Sequence, residues 1–267
     1  MPEEKQLNLN LDIKYDASLS DFAGPGWVTI VDAVRQFHVG MIQQLYLFGE
    51  SGTGKSHLLS AICESLIDMG RSAITLSMSD LLYTNVEVLA SLEAFDVIAI
   101  DDIGVIEKSA QWQEAMFHLI NRSKEENFQL LFAGNKPAGE LPFGFFDLVT
   151  RLSQAPSFKV PDGQNVADRQ AMLDSVLRRR GWQLDERIIE YLLEEGPYRI
   201  GEMMAVLNYI QPMFSNLARN HISKATINEA KKIIDEQSLL VELEGIHEDV
   251  IADTQALSFD DNIAFDF

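Results

Sequence analysis

The sequence predicts an α/β fold, a parallel sheet with helices on both faces, followed by a small all-helical domain. Three observations carry this. Short β-rich apolar runs (Leu45 to Phe48, Ala73 to Leu76, Val97 to Ile100, Leu130 to Ala133) alternate with segments of helical periodicity, the arrangement of right-handed βαβ units. The first run passes through a glycine-rich turn, Gly49 to Gly54, straight into a helical pattern. Beyond about Gln164 only helical spacing remains.

In chain order, residues 1–18 read as an extended tail. The α/β domain is expected over 19–163. It opens with an amphipathic helix through Ile30, Val31, Val34 and Phe37. After the first strand and its turn, Leu58, Leu59, Ile62, Cys63, Leu66 and Ile67 recur at helix spacing, and Gly70 supplies the stop. Mixed helical segments lead from the second strand to Phe95. A helix around Trp112 to Lys124 links the third and fourth strands, and a short helix covers Asp147 to Leu152. A helical lid domain is expected over 164–236, with faces at Met172, Val176 and Leu177, at Ile188, Ile189, Leu192 and Leu193, and at Met203, Met204, Leu207 and Ile210. Thr226 with Glu229 predicts a capping box that opens a last helix through Ile233. Residues 237–267 mix acids with isolated apolar positions and predict a mobile acidic tail.

Composition narrows the chemistry. The chain has 267 residues, 46% of them hydrophobic, enough for a full core and a smaller companion domain. Its 21 basic residues stand against 41 acidic ones, a formal net charge of -20. Proteins that wrap nucleic acid gain affinity by neutralising phosphates, so dominant non-specific DNA binding is disfavoured. No Lys or Arg follows Lys232. Cys63 is the only cysteine, which excludes an intrachain disulfide or a cysteine zinc cluster, and its neighbours at helix spacing make it a core residue. No apolar stretch reaches the eighteen or so residues of a membrane span, and the polar start lacks the apolar region of a signal peptide, so a cytoplasmic protein is expected.

Gly49-Glu50-Ser51-Gly52-Thr53-Gly54-Lys55-Ser56 fits the P-loop pattern at every required position. Glycines remove the Cβ atoms that would hold the backbone away from a ligand, so the amides of Ser51, Gly52, Thr53, Gly54, Lys55 and Ser56 can converge on phosphate oxygens. The helix that follows adds the positive end of its dipole. Lys55 is expected to reach the β- and γ-phosphates and the Ser56 hydroxyl to bind Mg²⁺. Asp101 and Asp102 close the third apolar run, where strand C-terminal ends border a phosphate crevice. Asp101 is expected to hold Mg²⁺ through water, and Asp102 to orient or activate an attacking water. Asn135 follows the fourth strand directly, placed to contact the γ-phosphate or that water, although a turn-forming loop residue fits equally.

Lys55 to Leu59, Ile100 to Ile103, Asn135 to Pro137 and Asp147 to Leu152 together resemble the AAA+ core of the bacterial initiator DnaA, over roughly Leu19 to Asp235. Where DnaA continues into a basic helix-turn-helix domain, this sequence continues into the acidic tail, so no direct sequence-specific DNA binding is expected. Gln6-Leu7-Asn8-Leu9-Asn10-Leu11 is similar to the hexapeptide with which the DnaA-related regulatory inactivators of the Hda family bind the DNA polymerase sliding clamp. Gln6 would hydrogen-bond at a pocket rim while Leu7, Leu9 and Leu11 fill an apolar groove, although the same alternation fits a strand. Gln255 to Phe259 loosely resembles a second such peptide.

The resemblance implies a negative regulator of replication initiation. It would be clamp-bound and ADP-bound, and would stimulate ATP hydrolysis by DnaA through Arg151, projected into the neighbour's site. It implies ADP or ATP with Mg²⁺ as cofactor, His57 and Arg199 beside the nucleotide, and Phe22 stacked on adenine. A weak ATPase activity of the chain's own and homodimerisation are both left open. Two departures stand out. The family's sensor arginine falls in register at Gly201, with Arg199 two residues earlier, and Asn135 stands where the family more often has Asp. A helicase-loader AAA+ ATPase or a self-sufficient P-loop kinase are the alternative readings.

Overall fold

The computed structural model describes residues 17–215 and 222–233. The hexapeptide at Gln6 to Leu11, the peptide at Gln255 to Phe259 and the acidic tail lie outside the described residues. β1 (Gln44–Phe48), β2 (Ala73–Ser77), β3 (Val97–Asp101), β4 (Gln129–Gly134) and β5 (Ser157–Lys159) form one parallel sheet in the order β2-β3-β4-β1-β5. The strand that feeds the glycine-rich turn is therefore interior. The strand carrying Asp101 lies two places away, with β4 between them.

Side chains alternate across each strand, and the two faces bury different sets. Leu45 and Leu47, Val97 and Ala99, Leu131 and Ala133 face α1 (Val28–His38) and α2 (Lys55–Asp68), where they join Trp27, Phe37, Leu59, Ile62 and Leu66. Cys63 is buried in the same layer, as expected of a core residue. Tyr46, Ile98, Ile100, Leu130 and Phe132 face the other way, toward Trp112, Met116 and Leu119 of α4 (Ala110–Glu126) and Leu148 and Leu152 of α5 (Phe146–Ser153). Helices thus cover both faces. The short α3 (Met78–Leu81) follows β2 directly and buries Met78 and Leu81 in the α4 layer.

After the sheet the chain is helical: α6 (Val166–Arg180), α7 (Glu186–Glu194), α8 (Ile200–Ser215) and a helix over 224–233. Their apolar faces, including Met172, Val176, Leu192, Met203 and Leu207, belong to the same buried cluster as α1 and α2. Polar contacts fix the docking. Arg179 clasps the buried Asp21 carboxylate through Nε and Nη2 at 3.1 and 2.7 Å, the Ser175 hydroxyl donates to the Ser20 carbonyl at 2.6 Å, and the Gly26 amide donates to Asp168 at 2.9 Å. Among the described residues no helix is long and apolar enough to cross a membrane.

Two elements differ from the sequence expectation. β5 has only three residues and no apolar run. It is a strand because the Tyr46 amide donates to the Pro156 carbonyl at 2.9 Å and the Val160 amide to the Phe48 carbonyl at 2.7 Å. The last helix is capped three residues before the predicted capping box, because the Ser223 hydroxyl, not Thr226, accepts the free amide of the first turn, that of Thr226, at 3.2 Å.

Gln129 tests the packing. It is buried, and its side-chain amide donates to the Phe37 carbonyl at 2.8 Å and the Ile42 carbonyl at 2.5 Å, tying the end of α1 to the sheet. Gln129→Leu strands both carbonyls and should cost about 2 kcal/mol, lowering the thermal midpoint by roughly 4–8 °C in a melt followed by circular dichroism.

Candidate nucleotide-binding site

The turn between β1 and α2 is a preformed cradle. Gly52 and Gly54 take φ +76° and +93°, left-handed values that only glycine adopts without strain, and Gly54 is the residue on which α2 starts. A Cβ at Gly49 would come within 3.2 Å of the Thr53 hydroxyl, which donates to the Glu50 carbonyl at 2.9 Å and braces the turn. The Lys55 ammonium donates to the carbonyls of Gly49 and Glu50, both at 2.9 Å. An ammonium has three N–H groups, so one remains for an anion. Burial pulls the Lys55 pKa down while Asp102 and Asp101 oppose that shift.

Asp101 ends β3 and is buried. Its carboxylate accepts the Asp102 amide at 3.0 Å and a hydrogen bond from the Ser56 hydroxyl, so the two side chains expected at a cation meet directly. Burial, and then the neighbouring Asp102 charge, push its pKa up to about 6. Asp102 follows at φ +52°, a left-handed conformation uncommon outside glycine, which turns the chain away from the sheet immediately after the carboxylate pair. Asn135 is exposed one residue beyond Gly134, whose carbonyl accepts the Gly49 amide at 3.2 Å. The structure therefore brings together residues 49–56, Asp101, Asp102 and the start of the Asn135 loop.

Other expected residues lie differently. His57 is buried behind the cradle; burial, and then the Arg180 charge, push its pKa down to about 4, so it is a neutral packing residue near Asp21. Phe22 is buried against the Trp27 ring, centroids 5.0 Å apart, and forms the inner wall of a cleft of about 470 Å³ shared with Leu19, Gly24, Val28 and Leu58. Arg199 sits on the loop rim, its guanidinium 2.8 Å from the Glu50 carboxylate. Arg151 belongs to α5, apart from these groups, half-buried over the Phe117 ring at 5.9 Å. Among the described residues it makes no ion pair.

Two residues did not stand out in the sequence, and Gly201 stood out only as the position of a missing arginine. The buried Tyr46 hydroxyl donates to the Lys136 carbonyl at 2.8 Å and fixes the turn after Asn135. The only hint is a hydroxyl inside an apolar strand. The buried Gln113 amide donates to the carbonyls of Ile106 and Glu107 at 2.9 and 2.7 Å and accepts the Phe145 amide at 3.0 Å, which joins the segment after Asp102 to the start of α5. The Gly201 amide donates to the Gly52 carbonyl at 3.0 Å.

Residues 28–154 match the sequence model of the bacterial DnaA ATPase domain. AMPPCP-bound DnaA from Aquifex aeolicus is similar in structure, with TM-score 0.61 and 23% identity over 79% of this chain and 69% of that one. Domain III of the Thermotoga maritima replication initiation protein DnaA has TM-score 0.67 and 17% identity, covering 85% of this chain and 98% of its own. The fold is that of the DnaA-like AAA+ domain. An uncharacterized protein of Haemophilus influenzae is 27% identical over 235 residues, 86% of this chain and 99% of its own length.

Asp101 supplies a pH test. A carboxyl whose folded pKa, here about 6, lies above its unfolded value near 4 contributes stability below pH 4 and loses it as pH rises through 6. Asp101→Asn keeps an acceptor for the Asp102 amide and removes the buried charge. Without ligand it should be more stable than the parent at pH 7.5, by up to about 3 kcal/mol, with the difference closing by about pH 4 in melts across that range.

Proposed function

We propose that this chain binds a nucleoside diphosphate or triphosphate with Mg²⁺ and acts as a negative regulator of replication initiation. In this reading, a sliding-clamp-bound, ADP-bound form stimulates ATP hydrolysis by DnaA through Arg151. The nucleotide part is supported by the fit of the residues present. A cradle closed to Cβ atoms, a buried ammonium with a spare N–H, a helix start and the Ser56–Asp101 pair together match a magnesium-bound polyphosphate. Among the described residues no three His, Cys, Asp or Glu side chains converge as a metal site of their own, so the cation would be shared with phosphate oxygens. Bound Mg²⁺ would neutralise charge on the β- and γ-oxygens. Lys55 and the loop amides would hold the phosphates, Ser56 and Asp101 the cation, and Asp102 and Asn135 a water. Phe22 and Leu58 wall a cleft of a size that suits the base.

The observation that carries the regulatory part is Arg151. An arginine at the surface usually pairs with an acid, yet this half-buried one is stacked on an aromatic ring that keeps its guanidinium N–H groups available. The ring is itself held edge-on by Phe145 at 5.2 Å, and Phe146 beside it is 78% exposed. A guanidinium presented in this way can stabilise charge in a neighbour's site, worth about 10³ to 10⁵ in rate.

Arg151→Ala should retain nucleotide and clamp binding but abolish stimulation of DnaA-bound ATP hydrolysis in a single-turnover assay; full stimulation would refute the role. Deleting residues 6–11 should eliminate clamp binding in surface plasmon resonance with nucleotide affinity unchanged, and clamp binding that survives would remove the clamp from the proposal.

A further inference from the structure

The way α6 ends builds a cleft on the helical domain, remote in sequence from the glycine loop. Gly181 takes φ +65°, its amide donates to the Arg178 carbonyl at 3.2 Å, and the Trp182 amide donates to the Leu177 carbonyl at 2.9 Å. That pair of bonds stops the helix and folds the residue after the glycine back toward the last turn. Trp182 and Leu177 thereby border one cleft of about 440 Å³, whose wall is completed by Asp174, Arg178, Gly181 and Gln183. Trp182 is half-buried and Arg178 is exposed. Arg180 stacks over the Trp182 ring at 4.8 Å and donates to the Asn208 side chain at 2.5 Å. Arg178 donates through Nε to the Asp174 carbonyl at 3.2 Å, and among the described residues it makes no ion pair. The Asp174 carboxylate accepts from Gln170 at 2.9 Å. An apolar pair is thus flanked by two guanidinium groups against one carboxylate, in a chain whose acids outnumber its bases by 41 to 21.

The same chain carries a segment of matching chemistry. No Lys or Arg follows Lys232, acids recur as far as Asp266, and Val241-Glu242-Leu243-Glu244 alternates apolar with acidic side chains. We propose that this acidic segment of the chain's own C-terminal part docks in the cleft at the end of α6, with apolar side chains on Leu177 and Trp182 and a carboxylate on Arg178. Reach permits it. The last helix, over 224–233, is fastened in the same helical domain: Ile227 and Ala230 are buried in one cluster with Leu177, and the Tyr191 hydroxyl meets Asn228 at 2.5 Å. The stretch from residue 233 to Leu243 can extend about 33 Å, longer than the roughly 24 Å of the 16-residue α8. A short tether holds the segment near the cleft at an effective concentration on the order of millimolar, so weak contacts suffice. A second copy is the poorer occupant, because each chain carries a formal charge of -20. Arg178 lies at the surface, so its attraction for the segment is screened by salt.

The test is acrylamide quenching of tryptophan fluorescence at low salt. Trp27 and Trp112 are buried, so Trp182 is the ring that can report. A chain ending at Glu236 should be quenched about twofold more strongly than the full chain, and Trp182→Phe should remove that difference. Arg178→Glu in the full chain should raise quenching in the same direction and should add nothing in the shortened chain. High salt should shrink the effect. A synthetic peptide of residues 237–250, added at about millimolar concentration to the shortened chain, should restore the protection. Equal quenching of the full and shortened chains, an Arg178→Glu effect that is the same in both, or a peptide that restores nothing overturns the inference. Protection that fades as the full chain is diluted assigns the cleft to a second copy and overturns it as well.

Discussion

Everything in the site depends on the turn by which β1 becomes α2, and on the backbone hydrogen bonds that hold that turn in the sheet. The Gly49 amide is held by Gly134 of β4 and the Phe48 carbonyl by Val160 beyond β5, so both neighbouring strands grip the point where the loop leaves. With the exit fixed, positive φ at Gly52 and Gly54 carries the chain around the cradle and into α2. Lys55 then folds over the carbonyls of Gly49 and Glu50 with no freedom to search for them. A loop preorganised in this way loses little conformational entropy when it meets an anion.

The site's electrostatics follow from burial. Ammonium and carboxylate are both taken from water, and burial is the leading influence on each: it lowers Lys55 and raises Asp101, while their mutual attraction opposes both shifts. Each group thus carries a desolvation penalty that the other only partly offsets. His57 shows burial applied to packing. Its neutral ring sits at the joint between the N-terminal segment and α6, where Asp21 already has a bidentate arginine.

The helical region contributes more than a cover. Its apolar faces continue the core of the α2 side of the sheet, and its first helix is pinned to residues 20–26 by Asp168, Ser175 and Arg179. This firm docking lets α8 approach the glycine loop to hydrogen-bond distance. On the opposite face, Gln113 links the segment after Asp102 to the helix of Arg151, so the carboxylate pair and the half-buried arginine lie on elements joined through one buried amide.

By itself, the sequence determined whatever depends on near neighbours along the chain. The alternating strands, the glycine loop with Lys55 and Ser56, and the carboxylates ending β3 are written in local spacing, which periodicity and φ preference translate directly into structure. Tertiary structure alone decided the contacts between distant segments. The pairing of Ser157–Lys159 with β1, the hydroxyl of Tyr46 on Lys136, the burial of His57 and the seating of Gly201 on Gly52 each join segments brought together by the docking of one element on another. That docking is set by the shape and burial of whole faces, so a residue such as Gly201 shows its purpose only when the surface it touches is in place.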